Sequence, residues 1–120
     1  MKGPLGILKR IAATTHEMDA DQLQDDAAKM ACCPLSDLHR SSQVRVTGRL
    51  RSVTYTPRET VPTLAAELFD GSAAIELVWL GRRRIAGIEP GRRVLVEGRV
   101  GVHDGNLAIY NPRYTLREPG

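Results

Sequence analysis

Aromatic residues are scarce in this chain: one Trp, one Phe and three Tyr, 4% of 120 residues. So few rings leave little for base stacking, and tight single-strand binding on an aromatic platform is not expected. Cysteine is limited to the adjacent pair Cys32 and Cys33. Neighbours in sequence cannot close an ordinary loop, so no disulfide framework is expected and both read as reduced thiols. The three histidines, His16, His39 and His103, follow no closed Cys/His spacing. No metal site and no cofactor are therefore expected. No apolar run approaches the ~18 residues of a membrane-spanning helix, and the nearest candidate, Ile75 to Leu80, is interrupted by Glu76. Lys9 and Arg10 fall where a secretory signal needs an uncharged apolar stretch, so a cytoplasmic location is expected.

Catalytic signatures are missing as well. The sequence holds no phosphate-cradling G-x-x-x-x-G-K-[ST] loop, no G-x-S-x-G elbow, no H-E-x-x-H pair and no cysteine with a recognisable base partner. The expectation is a binding protein, not an enzyme. Lysine disappears after Lys29. Residues 1–40 carry five basic and six acidic side chains, whereas the remaining 80 carry eight acids and twelve basic residues, all of them arginine. The planar guanidinium fork suits phosphate and stacks on bases, which favours an anionic partner. A genome rich in G and C is the competing cause of the same bias.

What is present falls into two parts. Leu5 to Ala13 and Asp19 to Ala31 place apolar residues at helical spacing (Leu5, Leu8, Ile11, Ala12; Leu23, Ala27, Met30, Ala31), which predicts two short helices in an extension over residues 1–42. Asp19 with Gln22 resembles a capping pair, and Cys33-Pro34 is the expected stop. From Gln43 the period becomes alternating. Val44, Val46, Leu50 and Val53 predict a long strand with a register shift placed at Gly48. Thr56 to Pro62 reads as a loop. Thr63 to Phe69 and Ala73 to Leu80 read as strands joined by an Asp70-Gly71 hairpin, with Ile75, Leu77 and Trp79 on one face. Gly81 to Gly91 is expected to hold a short helical turn and then a tight turn at Glu89-Pro90-Gly91. Arg93 to Val102 and Leu107 to Leu116 complete five strands, joined through His103-Asp104-Gly105-Asn106. Val46-Thr47-Gly48-Arg49-Leu50 recurs as Val96-Glu97-Gly98-Arg99-Val100, and both glycines are read as barrel corners because no helix start follows them.

These residues carry a resemblance. Val44 to Leu50, Leu68 to Trp79 and Glu89 to Val100, with the ending Ile109-Tyr110-Asn111-Pro112-Arg113-Tyr114, look like an OB-fold of the anticodon-binding type, similar to the wedge domain of the RecG branch-migration helicases. Small stand-alone OB-fold nucleic-acid-binding proteins of actinobacteria are closer in size and layout, with a Val78 to Ile85-like segment. The resemblance spans roughly residues 43–116. It implies a mainly β, five-stranded antiparallel OB-fold barrel over residues 43–117 that binds nucleic acid, single-stranded or branched DNA or else RNA, in DNA recombination or repair. With no phosphate-binding loop in these residues, binding and not translocation is the expected activity.

Such barrels commonly hold single strands across strands two and three, between the first and fourth connecting loops. The candidates are Arg49 and Arg51 on strand one, Tyr55 and Arg58 toward the first loop, and Trp79, Arg82, Arg83 and Arg84 at the end of strand three. His103 before the last strand and Tyr110, Arg113 and Tyr114 on it complete the set. Each has a structural alternative. Trp79 shares parity with Ile75 and Leu77 and so favours the core, the two tyrosines could pack at the rim, and Arg82 to Arg84 could be a solvated surface. Glu67 and Glu76 face outward on the platform strands, which predicts weak binding there. The competing functional reading is an adaptor that docks a protein partner through the N-terminal helices, on the strength of Leu5, Ile7, Leu8 and Ile11, or through a barrel edge.

Overall fold

Side chains that alternate in and out over successive strands can bury one face only if the sheet curls onto itself or is covered. Here it curls. The computed structural model describes residues 18–57 and 61–117. Six strands follow in order: β1 (Gln43–Thr56), β2 (Thr63–Phe69), β3 (Ala74–Leu80), β4 (Arg93–His103), β5 (Asn106–Tyr110) and β6 (Arg113–Leu116). β1 is long enough to serve two partners, pairing antiparallel with β4 over 43–49 and with β2 over 49–56. The order β1-β2-β3-β5-β4 closes through the β1–β4 pairing into a five-membered ring. One contact in the ring, β3 with β5, is parallel.

The inward set is the one the alternation predicts. Val46, Leu50, Leu64, Ala66, Leu68, Ile75, Leu77, Trp79, Val94, Val96, Val100 and Ile109 form one core. Leu35 and Leu38, from the 3-10 turn Leu35–Asp37 and the residue after it, join that core, as do Ile85 and Ile88 from the segment after β3. The two recurring glycine elements pair with each other about Val46 and Val96.

Four features depart from the sequence reading. First, the register shift in β1 lies between Leu50 and Ser52, leaving Arg51 as the bulged residue. Parity is unbroken through Gly48, whose role is close approach: a Cβ there would overlap the Phe69 carbonyl. Second, no helix forms between Gly81 and Gly91. The Ile85–Ile88 and Glu89–Arg92 turns, each closed by an amide-to-carbonyl bond, bring the two isoleucines inward instead. Third, the last predicted strand divides at Asn111, which has a positive φ of 47°, and Pro112. β5 bridges β3 and β4, whereas β6 continues along β4 alone. Fourth, residues 18–29 are helical (α1), so Asp19 lies within the helix and is not its cap. The helix also stops before Cys33.

Its end is a Schellman motif: Cys32 N–H bonds the Ala27 carbonyl at 2.9 Å and Ala31 N–H the Ala28 carbonyl at 3.1 Å. Ala31 occupies the left-handed position with φ 55°. A Cβ there costs about 1–2 kcal/mol, partly offset by the lower chain entropy of alanine when unfolded. Ala31→Gly is therefore expected to stabilise the protein by about 0.5–1 kcal/mol and raise its melting temperature by a few degrees. Thermal unfolding followed by circular dichroism checks this, and a lower melting point would refute the account of the cap. The stretch Leu5 to Ala13 lies outside the described residues.

Candidate nucleic-acid interface

The surface where single strands are expected is a groove of about 770 Å³ over the outward face of β1, β2 and β3, flanked by the β4–β5 turn. Its position follows from parity past the bulge: Ser52, Thr54 and Thr56 line it with Ala65, Glu67 and Glu76. The turn contributes His103, Asp104 and Asn106. It is a two-residue type I′ hairpin, Asp104 and Gly105 both having positive φ, so His103 and Asn106 pair directly. Hydroxyls and carboxylates share this lining with apolar side chains, and no arginine or lysine is among them. Glu67 accepts from Arg51 at 2.7 Å, and the Arg51 guanidinium also lies 4.3 Å from the Phe69 ring centre. His103 Nδ1 hydrogen-bonds Glu76, its Nε2 is 3.8 Å from Asp104, and its ring meets Tyr110 edge-on at 5.8 Å. Tyr110 in turn donates to the Val102 carbonyl at 3.1 Å. Arg51, His103 and Tyr110 thus have partners within the barrel, and the groove presents little positive charge to a phosphate chain.

Other arginines hold α1. Leu23 and Ala27 are buried on the helix face turned to the barrel, and Asp19 bonds Arg49 at 3.2 Å while Asp26 bonds Arg93. Arg49 also donates to the Gly91 carbonyl. Burial, and then Arg117 beside it, push the Arg93 guanidinium below its ordinary pKa, with Asp19 opposing that shift. The Gly71 backbone, at φ 94°, lies so close to the Ala20 carbonyl that a Cβ would overlap it. Two of the six acids of the first 40 residues, Asp19 and Asp26, therefore hold the helix on the barrel.

A different end of the barrel gathers the rest. Asn111 accepts from the Leu80 amide at 3.0 Å and donates its own amide to the Val78 carbonyl at 2.6 Å, which ties the start of β6 to the end of β3. Arg82, Arg83 and Arg84 leave β3 there, and Arg113 and Tyr114 begin β6 there. All four arginines are exposed and none forms an ion pair with a described residue. Tyr114 is 39% exposed, its ring standing edge-on to Trp79 at 5.9 Å. Trp79 itself is 4% exposed and belongs to the core, as its parity implied, so its ring is not a stacking surface. Tyr55 is exposed at the end of β1, and Arg58 lies outside the described residues.

Sequence reasoning passed over Arg45, Arg99 and Arg117. Arg45 and Arg99 lie on the outward parity of β1 and β4, and Arg117 follows β6, its amide bonded to the Arg93 carbonyl at 2.8 Å. The signal was legible, since 45 and 49 share one parity and so do 93, 97 and 99. Burial pushes the Cys32 thiol above its ordinary pKa, more than Arg45 beside it lowers it. Among the described residues no cluster of His, Cys, Asp or Glu could hold a metal ion, and no helix is long and apolar enough to cross a membrane.

The ring order with its parallel β3–β5 closure is that of an OB-fold, the type found in nucleic-acid-binding proteins, and solved structures match it. RecG bound to a three-way DNA junction superposes with a TM-score of 0.63 and 26% identity over 72% of this chain, which corresponds to only 12% of that one. The OB domain of a Thermoplasma acidophilum protein superposes at 0.59 with 17% identity, over 72% of this chain and 86% of that domain. An OB domain from Methanosarcina mazei gives 0.57 with 13% identity, over 73% and 84%. No protein-family model matches the sequence, and no curated protein does.

Proposed function

We propose that this chain is a non-catalytic nucleic-acid-binding protein that engages single-stranded or branched DNA through arginines on the barrel surface, in recombination or repair. One observation carries the reading: Arg82, Arg83, Arg84 and Arg113 stand exposed, without an acidic partner among the described residues, beside the exposed Tyr114 ring at one end of the barrel. Guanidinium groups without internal partners are available to neutralise phosphates, and a neighbouring ring can take a base. The shared fold and 26% identity with RecG, which was solved on a three-way junction, support branched DNA as one substrate.

Fluorescence anisotropy with single-stranded DNA, a three-way junction and RNA, each over a salt series, tests it. Binding is expected at low salt, with log K falling against log salt at a slope of about −2 to −4, as three to six phosphate contacts on a single strand require. No binding at low salt, or binding indifferent to salt, would refute the proposal. The adaptor alternative rests on Leu5, Ile7, Leu8 and Ile11, which lie outside the described residues.

A further inference from the structure

The outer side of β1, β4 and β6 carries a second concentration of cations. The register sets Arg45 of β1, Glu97 of β4 and Arg113 of β6 side by side in one row. Arg99 follows two residues after Glu97 on the same face of β4. Arg117, just past β6, lies against Arg93. With adjacent strands ~4.8 Å apart and same-face residues ~6.6 Å apart along a strand, Arg45 and Arg113 stand ~10 Å apart across Glu97, Arg99 lies ~8 Å diagonally from each and Arg117 ~13 Å along from Arg113, spacings that long arginine side chains bridge to phosphates of one strand. Arg45, Arg99 and Arg113 are exposed and Arg117 is half-buried. The Arg99 guanidinium donates to the Ser41 carbonyl at 2.8 Å, which orients the group without neutralising it. The row contains one anion, Glu97, and it forms no ion pair with a described residue.

Two further facts define what fits. α1 fixes Arg49 and Arg93 with Asp19 and Asp26, so the remaining cations flank the helix and are not beneath it. The strand positions beside them are Gln43, Thr47, Leu95 and Thr115, with no ring among them. A surface of arginines without aromatics recognises a phosphate backbone and not its bases. We infer that this face, Arg45, Arg99, Arg113 and Arg117 about Glu97, is a phosphate-backbone track for nucleic acid, separate from the β1–β2–β3 groove. The inference rests on the nucleic-acid reading above and adds a second surface to the cluster at Arg82 to Arg84.

The track adds affinity and salt dependence without sequence preference. An Arg45→Gln, Arg99→Gln double variant, which leaves the Arg82–Arg84 and Arg113 cluster intact and has its fold checked by circular dichroism, is expected to lose about 1.4 from the salt slope on labelled oligothymidylate. Because counterion release vanishes toward 1 M salt, that corresponds to binding roughly 25-fold weaker at 0.1 M. Glu97→Gln removes the one anion and is expected to tighten binding, a gain that misfolding cannot imitate. Oligoadenylate is expected to show the same losses. If the wild-type protein binds while the double variant keeps its slope and Glu97→Gln gains nothing, the track is wrong and the broader reading survives. If polyglutamate displaces the oligonucleotide as well as unlabelled DNA of equal charge does, the face serves acidic protein and the inference fails. Failure of the wild-type protein to bind at low salt removes the broader reading itself.

Discussion

Asp70→Ala is expected to destabilise this protein by about 3 kcal/mol and lower its melting temperature by roughly 10–20 °C. The side chain is 2% exposed in a hairpin turn, a place where aspartate ordinarily faces water. One carboxylate oxygen accepts from the Ser72 amide at 2.9 Å, the Ser72 hydroxyl at 2.7 Å and the Ala73 amide at 3.1 Å. The other accepts from the Leu35 amide at 2.8 Å, across 35 residues of chain. The first three bonds shape the turn; the fourth anchors the 3-10 turn that places Leu35 and Leu38 in the core. Removing the carboxylate strands the buried Leu35 N–H and loosens two apolar residues at once, and a stranded donor alone costs about 1–3 kcal/mol. Asp70→Asn keeps one acceptor oxygen and is expected to lie between the two. Urea and thermal unfolding measure this, and an alanine variant that melts with the wild type would show that the hairpin does not anchor the extension.

That role also marks how far the sequence can be read. Asp70-Gly71 announces a hairpin, because the local side-chain-to-amide bonds of an Asx turn are set by neighbours in sequence. The bond to Leu35 is not local and leaves no trace in the pattern. The same division recurs elsewhere. The parity change between Leu50 and Val53 is visible in the sequence, yet its placement at Gly48 follows from glycine being the usual mark of a bulge. The close approach of the Phe69 carbonyl, which is what demands that glycine, is a tertiary fact. Ile85 and Ile88, three apart, imitate one turn of helix, but the two tight turns at Ile85–Ile88 and Glu89–Arg92 deliver them to the core without one. The inward faces of the strands, the outward Glu67 and Glu76, and the core position of Trp79 were all legible from alternation. Which arginines meet an acid was not, since Asp19 and Arg49, or Asp26 and Arg93, are brought together only by docking of α1 on the barrel.

This sorting of arginines gives the binding prediction with the largest effect. Replacing Arg82, Arg83 and Arg84 together by glutamine is expected to weaken binding to single-stranded DNA by about 25- to 125-fold at 0.1 M salt and to lower the salt slope by about 1.4–2.1, for two or three lost phosphate contacts. Stability is expected to stay within about 0.5 kcal/mol of the wild type, because all three side chains are exposed and form no ion pair with a described residue. Arg51→Gln supplies the contrast. Its guanidinium already lies on Glu67 and over Phe69, so its loss is expected to leave binding within about twofold of the wild type. Tyr114→Ala separates charge from stacking: it leaves the slope unchanged, since the ring neutralises no phosphate, while lowering affinity by about 1–3 kcal/mol if a base rests on it. Anisotropy titrations over a salt series read all three. A triple variant that binds like the wild type, with Arg51→Gln losing the affinity instead, would return the site to the β1–β2–β3 groove, where Arg51 would then have to leave Glu67 for a phosphate.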